Sequence, residues 1–568
     1  MRATEYNLLD EEWILLRKND CSVEELSLTD ALLQAHQYTA LSGELPTQDI
    51  SILRLLLAVL HTVFARYAPD GTYSPLSKPA DAMQRWNELW NAGKFPEKPI
   101  REYLASQHER FWLFHPDRPF YQTNAAKAEP TKASFPASKL NAEISDSNNK
   151  KRLFPLRNES GKKYLSYSEA ARWLIHLNGF DDASNERGKS KLIEHGIGVS
   201  WLGELGLIWA NGDNLFETLM LNLVLLDYRQ NTVWKNENPV WEKNTSETDP
   251  RLEIAQPDNM SCLYTLLSRR ILLDRTDNMV SEFHVYGGDY FDKEDCYIEQ
   301  MTAWSGRKVK KGIDVPKLLP YKMDTSSQAW REFPIVLHST EGNEIPTGKG
   351  LVIKNAGIVS WIDYLRFKRS IDRKKYIAFK FCSFYYDGMK SCCTGIYSDS
   401  LTFHTDLITE LGKRWRKIIS KEVSCCEDLA YRLKLLATDV EIAAGACPKN
   451  ADQCSSVIEA KEQFYHEIDI PFRTWLASID PEWEDSSDEE QKCLQSWHET
   501  ALRIAMQIGR NVVEEAGDAA VIGRLVSIKK DKSEKTEEVY YSAAKAYNDF
   551  SNKVFKVFGE YKVEKKYG

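Results

Sequence analysis

The 568-residue chain holds few residues at the spacings that catalysis requires. Gly348-Lys349-Gly350 lacks the length and the following Ser or Thr of a phosphate-binding loop. Ser200 follows Gly198, but no glycine comes two residues after it, as a nucleophile elbow requires. The eleven His are scattered and do not pair beside acid clusters, as a metal nuclease needs. We therefore predict a non-catalytic protein that uses no metal and no cofactor.

The thiols and the clustered carboxylates also favour structural roles. Among eleven Cys there is no Cys-x-x-Cys, and the adjacent pairs at 392–393 and 425–426 fit zinc binding poorly. Free thiols in a reducing cytosol are the preferred interpretation. The acids within 484–490 lie where a helix is predicted to begin, and there they complement the helix dipole.

A different chemistry, binding of a nucleic-acid backbone, is indicated by a basic arm at residues 124–163. The arm carries nine Lys and Arg against four Asp and Glu, a net of +5 in a chain whose net charge is −9. Irregular runs of this length are usually functional or disordered, and a basic one suits phosphates. The alternative is a disordered surface insertion.

Length, composition and charge limit the number of domains and the class of protein. At 568 residues the chain exceeds one ordinary core, and its 42% hydrophobic content is typical of globular domains. Residues 404–568 hold thirty acids and twenty-four bases, which excludes a uniformly basic DNA-coating protein. The opening residues show no signal-peptide pattern, and the apolar run Ile52 to Phe64 is too short to span a bilayer. A cytoplasmic protein is expected.

These segments must be positioned by an α+β fold. We predict a mixed α/β globular domain over residues 1–403, with the long basic loop, followed by an antiparallel four-helix bundle over residues 404–568. In the first domain a helix at 166–177 is predicted to break at 179–182, and an Asp387-Gly388 turn follows the last strand. Predicted strands lie at 6–16, 283–286, 333–337, 350–353 and 376–386. The predicted bundle helices lie at 404–443, 451–479, 486–516 and 535–558.

Four segments form an ordered set that resembles a known family. They are YNLLDEEWI at 6–14, RLLLAVL at 54–60, HPDRPFYQT at 115–123 and YSDSLTFH at 397–404. In this order they resemble the CasA family, the large subunit of the type I-E CRISPR surveillance complex Cascade. The third segment is similar to the family's His-x-x-x-Pro-Phe-x-Gln-Thr strand, and the resemblance in layout covers the whole chain.

The resemblance implies a non-catalytic, DNA-handling subunit in antiviral defence. In this family guide RNA reads the target, while the large subunit checks the short flanking PAM from the minor groove and helps open the duplex. Its helical bundle helps hold the displaced strand of the R-loop. The implied partners are the other Cascade subunits, guide CRISPR RNA, target double-stranded DNA and a recruited helicase–nuclease.

The resemblance also assigns residues to nucleic-acid contacts. The family's glycine loop corresponds to Asn178-Gly179-Phe180, so Gly179 and Phe180 are implied DNA contacts. Asp181 and Asp182 stand where further glycines are expected, and their charge is expected to repel phosphates. The basic arm corresponds to a loop that docks near the 5′ end of the guide RNA, and its implied contacts are Lys150, Lys151, Arg152, Phe154, Arg157 and Asn158.

Two more segments carry implied PAM and DNA contacts. The family's basic hairpin finger corresponds to 305–311, that is, to Arg307, Lys308 and Lys310, and Lys308 is the residue expected in the groove. The family's wedge corresponds to residues 388–391, where the usual Gln is absent and Met389 or Lys390 is expected to insert. The implied wedge residues are Gly388, Met389, Lys390 and Ser391. A plain surface hairpin or turn is the alternative for both segments.

Two other classes of function stay open at the level of sequence. One is a stand-alone nucleic-acid-processing enzyme with a non-obvious active site, and the other is a helical-bundle scaffold that binds only protein. Metal-dependent cleavage of DNA by the purified chain distinguishes the first from a binding subunit.

Overall fold

The chain forms two compact units. A computed structural model describes residues 4–123, 134–140, 163–183, 198–243, 253–307, 317–336, 351–372, 376–529 and 536–558. Unit 1 comprises Met1–Ser327, Ile335–Arg373 and Ile377–Ser400. Unit 2 comprises Gln328–Pro334, Lys374–Tyr376 and Leu401–Gly568.

Helices and short strands alternate through the described residues. The helices are α1 (Leu28–Leu33), α2 (Pro46–Arg66), α3 (Pro79–Ala92), α4 (Glu97–Ser106), α5 (Tyr167–Phe180), α6 (Leu215–Asn222), α7 (Met260–Tyr264), α8 (Phe333–Val336), α9 (Gly357–Phe367), α10 (Lys413–Ala444), α11 (Ser455–Ser478), α12 (Asp488–Glu514), α13 (Asp518–Ile522) and α14 (Ala543–Val554). The strands are β1 (Glu5–Asn7), β2 (Ile14–Arg17), β3 (Val23–Leu26), β4 (Ala40–Leu41), β5 (Trp112–Phe114), β6 (Phe135–Pro136), β7 (Gly206–Asn211), β8 (Leu226–Asp227), β9 (Thr232–Val233), β10 (Arg269–Thr276), β11 (Met279–Gly287), β12 (Trp304–Arg307), β13 (Leu319–Pro320), β14 (Leu351–Lys354), β15 (Tyr376–Tyr386), β16 (Cys393–His404), β17 (Arg524–Lys529) and β18 (Thr536–Tyr541).

Helix α2 is the central core helix of unit 1. Proline at the first helical position starts it, and almost every side chain up to Phe64 is buried. It is the one described helix long and apolar enough to cross a membrane, but 89% of its most apolar window is buried inside the protein. Arg54 is accommodated there because both its terminal nitrogens donate to the buried Glu299 carboxylate at 2.8 Å. The helix is therefore part of the protein core.

Two sheets of unit 1 position the candidate site. In one, β15 lies between β7 and β16, with Phe379 opposite Ala210. In the other, β10 pairs with β11 through a tight turn in which Asp277 and Asn278 have φ values of 50° and 61°. Two left-handed residues are typical of a hairpin turn that matches the strand twist, and Asp and Asn tolerate that conformation. The site lies where β10 begins and β15 ends.

Unit 2 contains the long helices α10, α11 and α12 and the shorter helix α14. Helix α10 packs on α11, α12 and α14, while α12 also packs on α11 and α14. The shared core includes Trp475 stacked on Trp497 at 5.1 Å. Ser487 caps α12 by accepting the Glu490 backbone N–H, and Asp488 to Glu490 occupy its first turn. The interpretation of these acids as helix-start residues is confirmed.

The mixed α+β class is confirmed, and most predicted elements are found. The strand at 376–386 and the turn after it occur as predicted, and β14 matches the strand at 350–353. The predicted helix at 404–443 begins only at Lys413, since β16 extends to His404 and residues 405–408 form a 3-10 turn. Two other predicted elements have the wrong conformation. Residues 333–336 are helical, not extended, and residues 536–541 form β18, which pairs with β17 instead of starting the last helix. The predicted strand at 6–16 is two strands, β1 and β2, with a turn between them.

Candidate nucleic-acid interface

The segment that matches the family's glycine loop is the last turn of a helix. Ser166 starts α5 with a reciprocal capping box to Glu169, and the helix runs through Phe180 instead of breaking at Gly179. Phe180 is buried, with its ring 5.5 Å from that of Phe384. A Cβ at Gly179 would lie 2.7 Å from Leu202 Cδ1. Gly179 and Phe180 thus hold this helix end in the core.

The charge on Asp181 is satisfied inside the protein. Its carboxylate accepts from Arg269 Nε at 2.6 Å, and both side chains are buried. Arg269 Nη2 also donates to the backbone carbonyls of Asp182 at 2.9 Å and Gly198 at 2.8 Å. A buried guanidinium 88 residues further along the chain thus neutralises Asp181, which removes the ground for expecting this acid to repel phosphates.

The segment that matches the family's wedge is a tight turn with an exposed tip. Asp387 holds it closed, since its carboxylate accepts the Ser391 backbone N–H at 2.5 Å and the Ser391 hydroxyl at 2.9 Å. Its backbone carbonyl accepts the Lys390 N–H at 2.8 Å, and Lys390 adopts a φ of 54°. Met389 at the tip is 80% exposed. The turn presents one apolar side chain to solvent on a fixed backbone.

The structure brings these two predicted segments together. The Tyr386 hydroxyl donates to the Phe180 carbonyl at 2.7 Å. The Ala183 N–H donates to the Lys390 carbonyl, also at 2.7 Å. The end of α5 and the turn at 387–391 therefore form one surface, which we call the loop–turn surface and define as residues 181–183 and 387–391.

Three lysines surround one carboxylate beside the loop–turn surface. Glu204 pairs with Lys293 at 3.2 Å and with Lys390 at 3.4 Å. Burial raises the pKa of Glu204, but these lysines outweigh burial and the pKa lies below its usual value. Lys322 donates to the Phe384 carbonyl at 3.0 Å, and burial lowers its pKa to about 8. At neutral pH the cluster carries a net positive charge next to the exposed Met389.

Some residues of the candidate site were missed by sequence reasoning. Lys293 lies in the acidic stretch DYFDKEDCY, and Lys322 follows a proline-rich junction, so neither forms a local basic run. Arg269 begins a strand and carries no binding motif. The one weak signal in the sequence for this cluster is Glu204, an isolated acid in an apolar glycine-rich stretch.

The other predicted contacts are only partly described. Arg307 is the last residue of β12, which pairs with β13 and β14, so the base of the predicted finger is a hairpin. Lys308 and Lys310 lie outside the described residues. So do the predicted guide-RNA contacts Lys150, Lys151, Arg152, Phe154, Arg157 and Asn158. Within the part of the chain that the structure describes, no group of three His, Cys, Asp or Glu side chains could hold a metal ion.

Gly203→Ala is expected to disrupt the support of the loop–turn surface. A Cβ at Gly203 would lie 2.2 Å from the Tyr386 hydroxyl oxygen, so the ring that bonds Phe180 must shift. Overpacking of this kind costs about 1–3 kcal/mol, measurable as a lowered denaturation midpoint. Gly388→Ala is the matched control, since nothing lies within 4 Å of its added Cβ. Equal midpoints for the two variants would contradict the proposed packing role of Gly203.

Solved structures that are similar in fold to this chain include CRISPR-associated proteins. The crystal structure of Thermobifida fusca Cse1 superposes with a TM-score of 0.79, covers 97% of this chain and 98% of that chain, and is 26% identical. A chain from a CRISPR RNA-guided surveillance complex superposes with a TM-score of 0.68 over 97% of this chain and 100% of that chain. At 15% identity the second likeness shows the fold alone. The fold thus defines a class, that of the CRISPR-associated Cse1 structures.

The family follows from the sequence comparisons. A family profile described as CRISPR-associated protein Cse1 covers residues 7–508. The CasA/Cse1 protein of Thermus thermophilus is 30% identical over 355 residues, which is 60% of this chain and 62% of that protein. The aligned stretch therefore spans less than two thirds of this curated relative. The chain belongs to the Cse1 family, and the family resemblance noted in the sequence is confirmed.

Proposed function

We propose that this chain is the non-catalytic large subunit of a type I-E RNA-guided DNA surveillance complex, Cascade, in antiviral defence. In this role it recognises the PAM in target double-stranded DNA, helps open the duplex and stabilises the R-loop. Its partners are the other Cascade subunits, guide CRISPR RNA, target DNA and a helicase–nuclease that it recruits. Membership of the Cse1 family supports this assignment, as does the likeness in fold to a chain of a surveillance complex.

The observation that carries the proposal is the loop–turn surface. Residues 181–183, which follow the implied contacts Gly179 and Phe180, are joined to the implied wedge by the hydrogen bond from Ala183 N–H to the Lys390 carbonyl. Lys390 and Lys293 stand beside them as phosphate contacts, and Met389 offers an apolar wedge. Phosphate contacts and an inserted apolar side chain are the combination by which proteins engage the minor groove and unstack a base step.

The other sequence assignments complete the proposal. Gly179 and Phe180 lie in the core and position the backbone of residues 181–183. This segment approaches DNA through its main chain. Arg307, Lys308 and Lys310 supply the basic finger, and the arm that contains Phe154 and Asn158 contacts guide RNA and neighbouring subunits. We also propose that residues 404–568 act as a four-helix bundle that holds the displaced strand.

The test is reconstitution with the remaining Cascade subunits and a guide RNA. Target duplexes with and without a PAM are compared by binding and by permanganate footprinting of the opened strand. PAM-dependent binding is expected only when this chain is included. Equal binding of both duplexes, with and without the chain, would overturn the proposal. Metal-dependent cleavage by the purified chain would favour the stand-alone enzyme, and assembly without any DNA or RNA contact would favour the scaffold.

The double variant Met389→Gly, Lys390→Gly is expected to slow strand opening about tenfold or more, with a smaller change in initial duplex binding. The wedge offsets an unstacking cost of a few kcal/mol, and each ~1.4 kcal/mol lost is about tenfold in rate. Glycine tolerates the φ of 54° at position 390, so the turn is retained. Phe367→Gly, another exposed apolar side chain of unit 1, is the control. Unchanged R-loop formation in the double variant would discard the wedge assignment.

A further inference from the structure

A cavity in unit 1, apart from the loop–turn surface, has the chemistry of a ligand site. Its volume is about 400 Å³. It lies between the start of α2, the segment from Ala40 to Gly43 and the sheet formed by β7, β15 and β16. Cavities of a few hundred Å³ with a small number of converging polar groups are the usual form of a small-molecule site. The side chains on which the argument rests are Arg17, Asp49, Trp209, Asn211 and Lys380.

Two cations, the half-buried Lys380 and the exposed Arg17, line the cavity together with the carboxylates of Asp49 and Asp399. Lys380 is half-buried on β15, and among the described residues neither its ammonium nor the Arg17 guanidinium has a hydrogen-bond or ion-pair partner. Burial lowers the pKa of Lys380, Asp49 opposes this effect, and Arg17 adds to it. Desolvating an ammonium without a direct partner is unfavourable. An anion between Lys380 and Arg17 would remove that cost.

Asp49 gives the cavity an acceptor of the opposite charge. Its Oδ1 accepts the Gly43 N–H at 2.7 Å, which leaves Oδ2 without a donor among the described residues. Burial raises the pKa of this carboxyl to about 6, against the lowering effects of Gly43, Lys380 and Arg17. Lys380 does not approach it closely enough to form an ion pair in the described structure. A ligand that bridges the two must present an anion to the cations and a hydroxyl or amino donor to Asp49.

The wall beside Lys380 is aromatic. Trp209 on β7 is the direct cross-strand neighbour of Lys380, and Asn211 lies two residues further on the same strand face. Both line the cavity. A flat aromatic side chain, an amide, a carboxylate and two cations together match the parts of a ribonucleotide: a base, a ribose with hydroxyl donors and a phosphate.

We propose that this cavity binds a ribonucleotide, with its phosphate between Arg17 and Lys380 and a ribose hydroxyl donating to Asp49. The ligand is either a free mononucleotide or the 5′-phosphorylated end of an RNA strand, because both present the same groups. The site is separate from the surface assigned to duplex opening, so it adds a binding activity to the proposed function and does not depend on it.

Isothermal titration of the full chain tests the proposal. The ligands are the four ribonucleoside monophosphates, the matching 2′-deoxy compounds, inorganic phosphate and a 5′-phosphorylated RNA hexamer. At least one ribonucleotide or the hexamer is expected to bind with a Kd below about 1 mM, and the deoxy compounds more weakly. A free nucleotide that binds as well as the hexamer identifies a mononucleotide site, and tighter binding of the hexamer identifies a strand end.

Variants separate this site from general affinity for anions. Lys380→Met is expected to weaken binding about tenfold or more, through loss of a charge-assisted hydrogen bond. Its thermal midpoint should change little, since the half-buried ammonium that is removed makes no direct ion pair among the described residues; a purely structural Lys380 would lower the midpoint without weakening binding. Lys368→Met, an exposed lysine over the Tyr364 ring, is the matched control and should bind as the parent does. Absence of binding by every ligand at 1 mM, or equal binding by Lys380→Met and the parent, overturns the proposal.

Discussion

Arg269→Met is expected to destabilise unit 1 by about 3–5 kcal/mol, the range for breaking a buried ion pair from one side. The guanidinium donates to the Asp181 carboxylate and to the backbone carbonyls of Ser268, Asp182 and Gly198. Methionine fills much of the volume but removes the guanidinium that donates to a buried carboxylate and to three carbonyls. The measurement is the denaturation midpoint of the full chain, followed by a probe in unit 1.

Two further variants identify the cause of that loss. Arg101→Met removes an exposed Arg–Glu97 pair at 2.6 Å and is expected to change stability by less than about 1 kcal/mol. Asp181→Asn combined with Arg269→Met removes the buried carboxylate charge that has lost its guanidinium and should recover part of the loss. If Arg269→Met and Arg101→Met gave equal midpoints, or if the second substitution gave no recovery, the buried pair would not be what holds residues 181–183.

The long helices could be predicted from the sequence because their evidence is local. Apolar residues at helical spacing mark α11 and α12 within a few residues of their observed bounds. The end of α10 is also close to its prediction, but this helix begins at Lys413 and not at residue 404, because β16 runs to His404 and a 3-10 turn follows it. The last helix shows the limit of that evidence. Tyr540 continues the apolar spacing of α14 backwards, yet it lies in β18, opposite Leu525 of β17. Pairing with a strand that ends at residue 529 decides the conformation, and Ser542 then caps the helix.

The site could be predicted in parts but not as an assembly. The turn at 387–391 follows from an Asp-Gly pair after a strand, and its match to a wedge came from the family resemblance. Its contact with residue 183 depends on a hydrogen bond between segments about two hundred positions apart, which no local pattern encodes. For the same reason Asp181 looked like an exposed acid, since its partner Arg269 lies in another element. Long-range neutralisation of charge is a tertiary property.

Replacing both Lys293 and Lys390 with Gln is expected to weaken binding of PAM-containing duplex by the reconstituted complex about 60-fold at 0.1 M salt. Each phosphate contact contributes a slope of about −0.9 in a plot of log K against log salt concentration. One contact therefore raises the binding constant about eightfold at 0.1 M salt relative to 1 M salt. Two lost contacts should therefore reduce the measured slope by about 1.8. The decrease should be the same for duplexes that differ only outside the PAM, because phosphate contacts carry no base information.

A substitution at Glu204 is expected to have the opposite effect on duplex binding. Its carboxylate draws Lys293 and Lys390 towards itself, at 3.2 and 3.4 Å, and places a negative charge beside the proposed path of the phosphates. Glu204→Gln removes that charge while keeping the size of the side chain, so duplex binding should tighten and the salt slope should steepen. Lys78→Gln, which removes an exposed lysine paired with Asp81 at 3.8 Å, is the control for net charge and should leave both unchanged. If only net charge mattered, Lys78→Gln would also weaken duplex binding and reduce the salt slope. A cluster that only stabilises the turn would make Glu204→Gln weaken binding, and either result would remove these lysines from the DNA-binding surface.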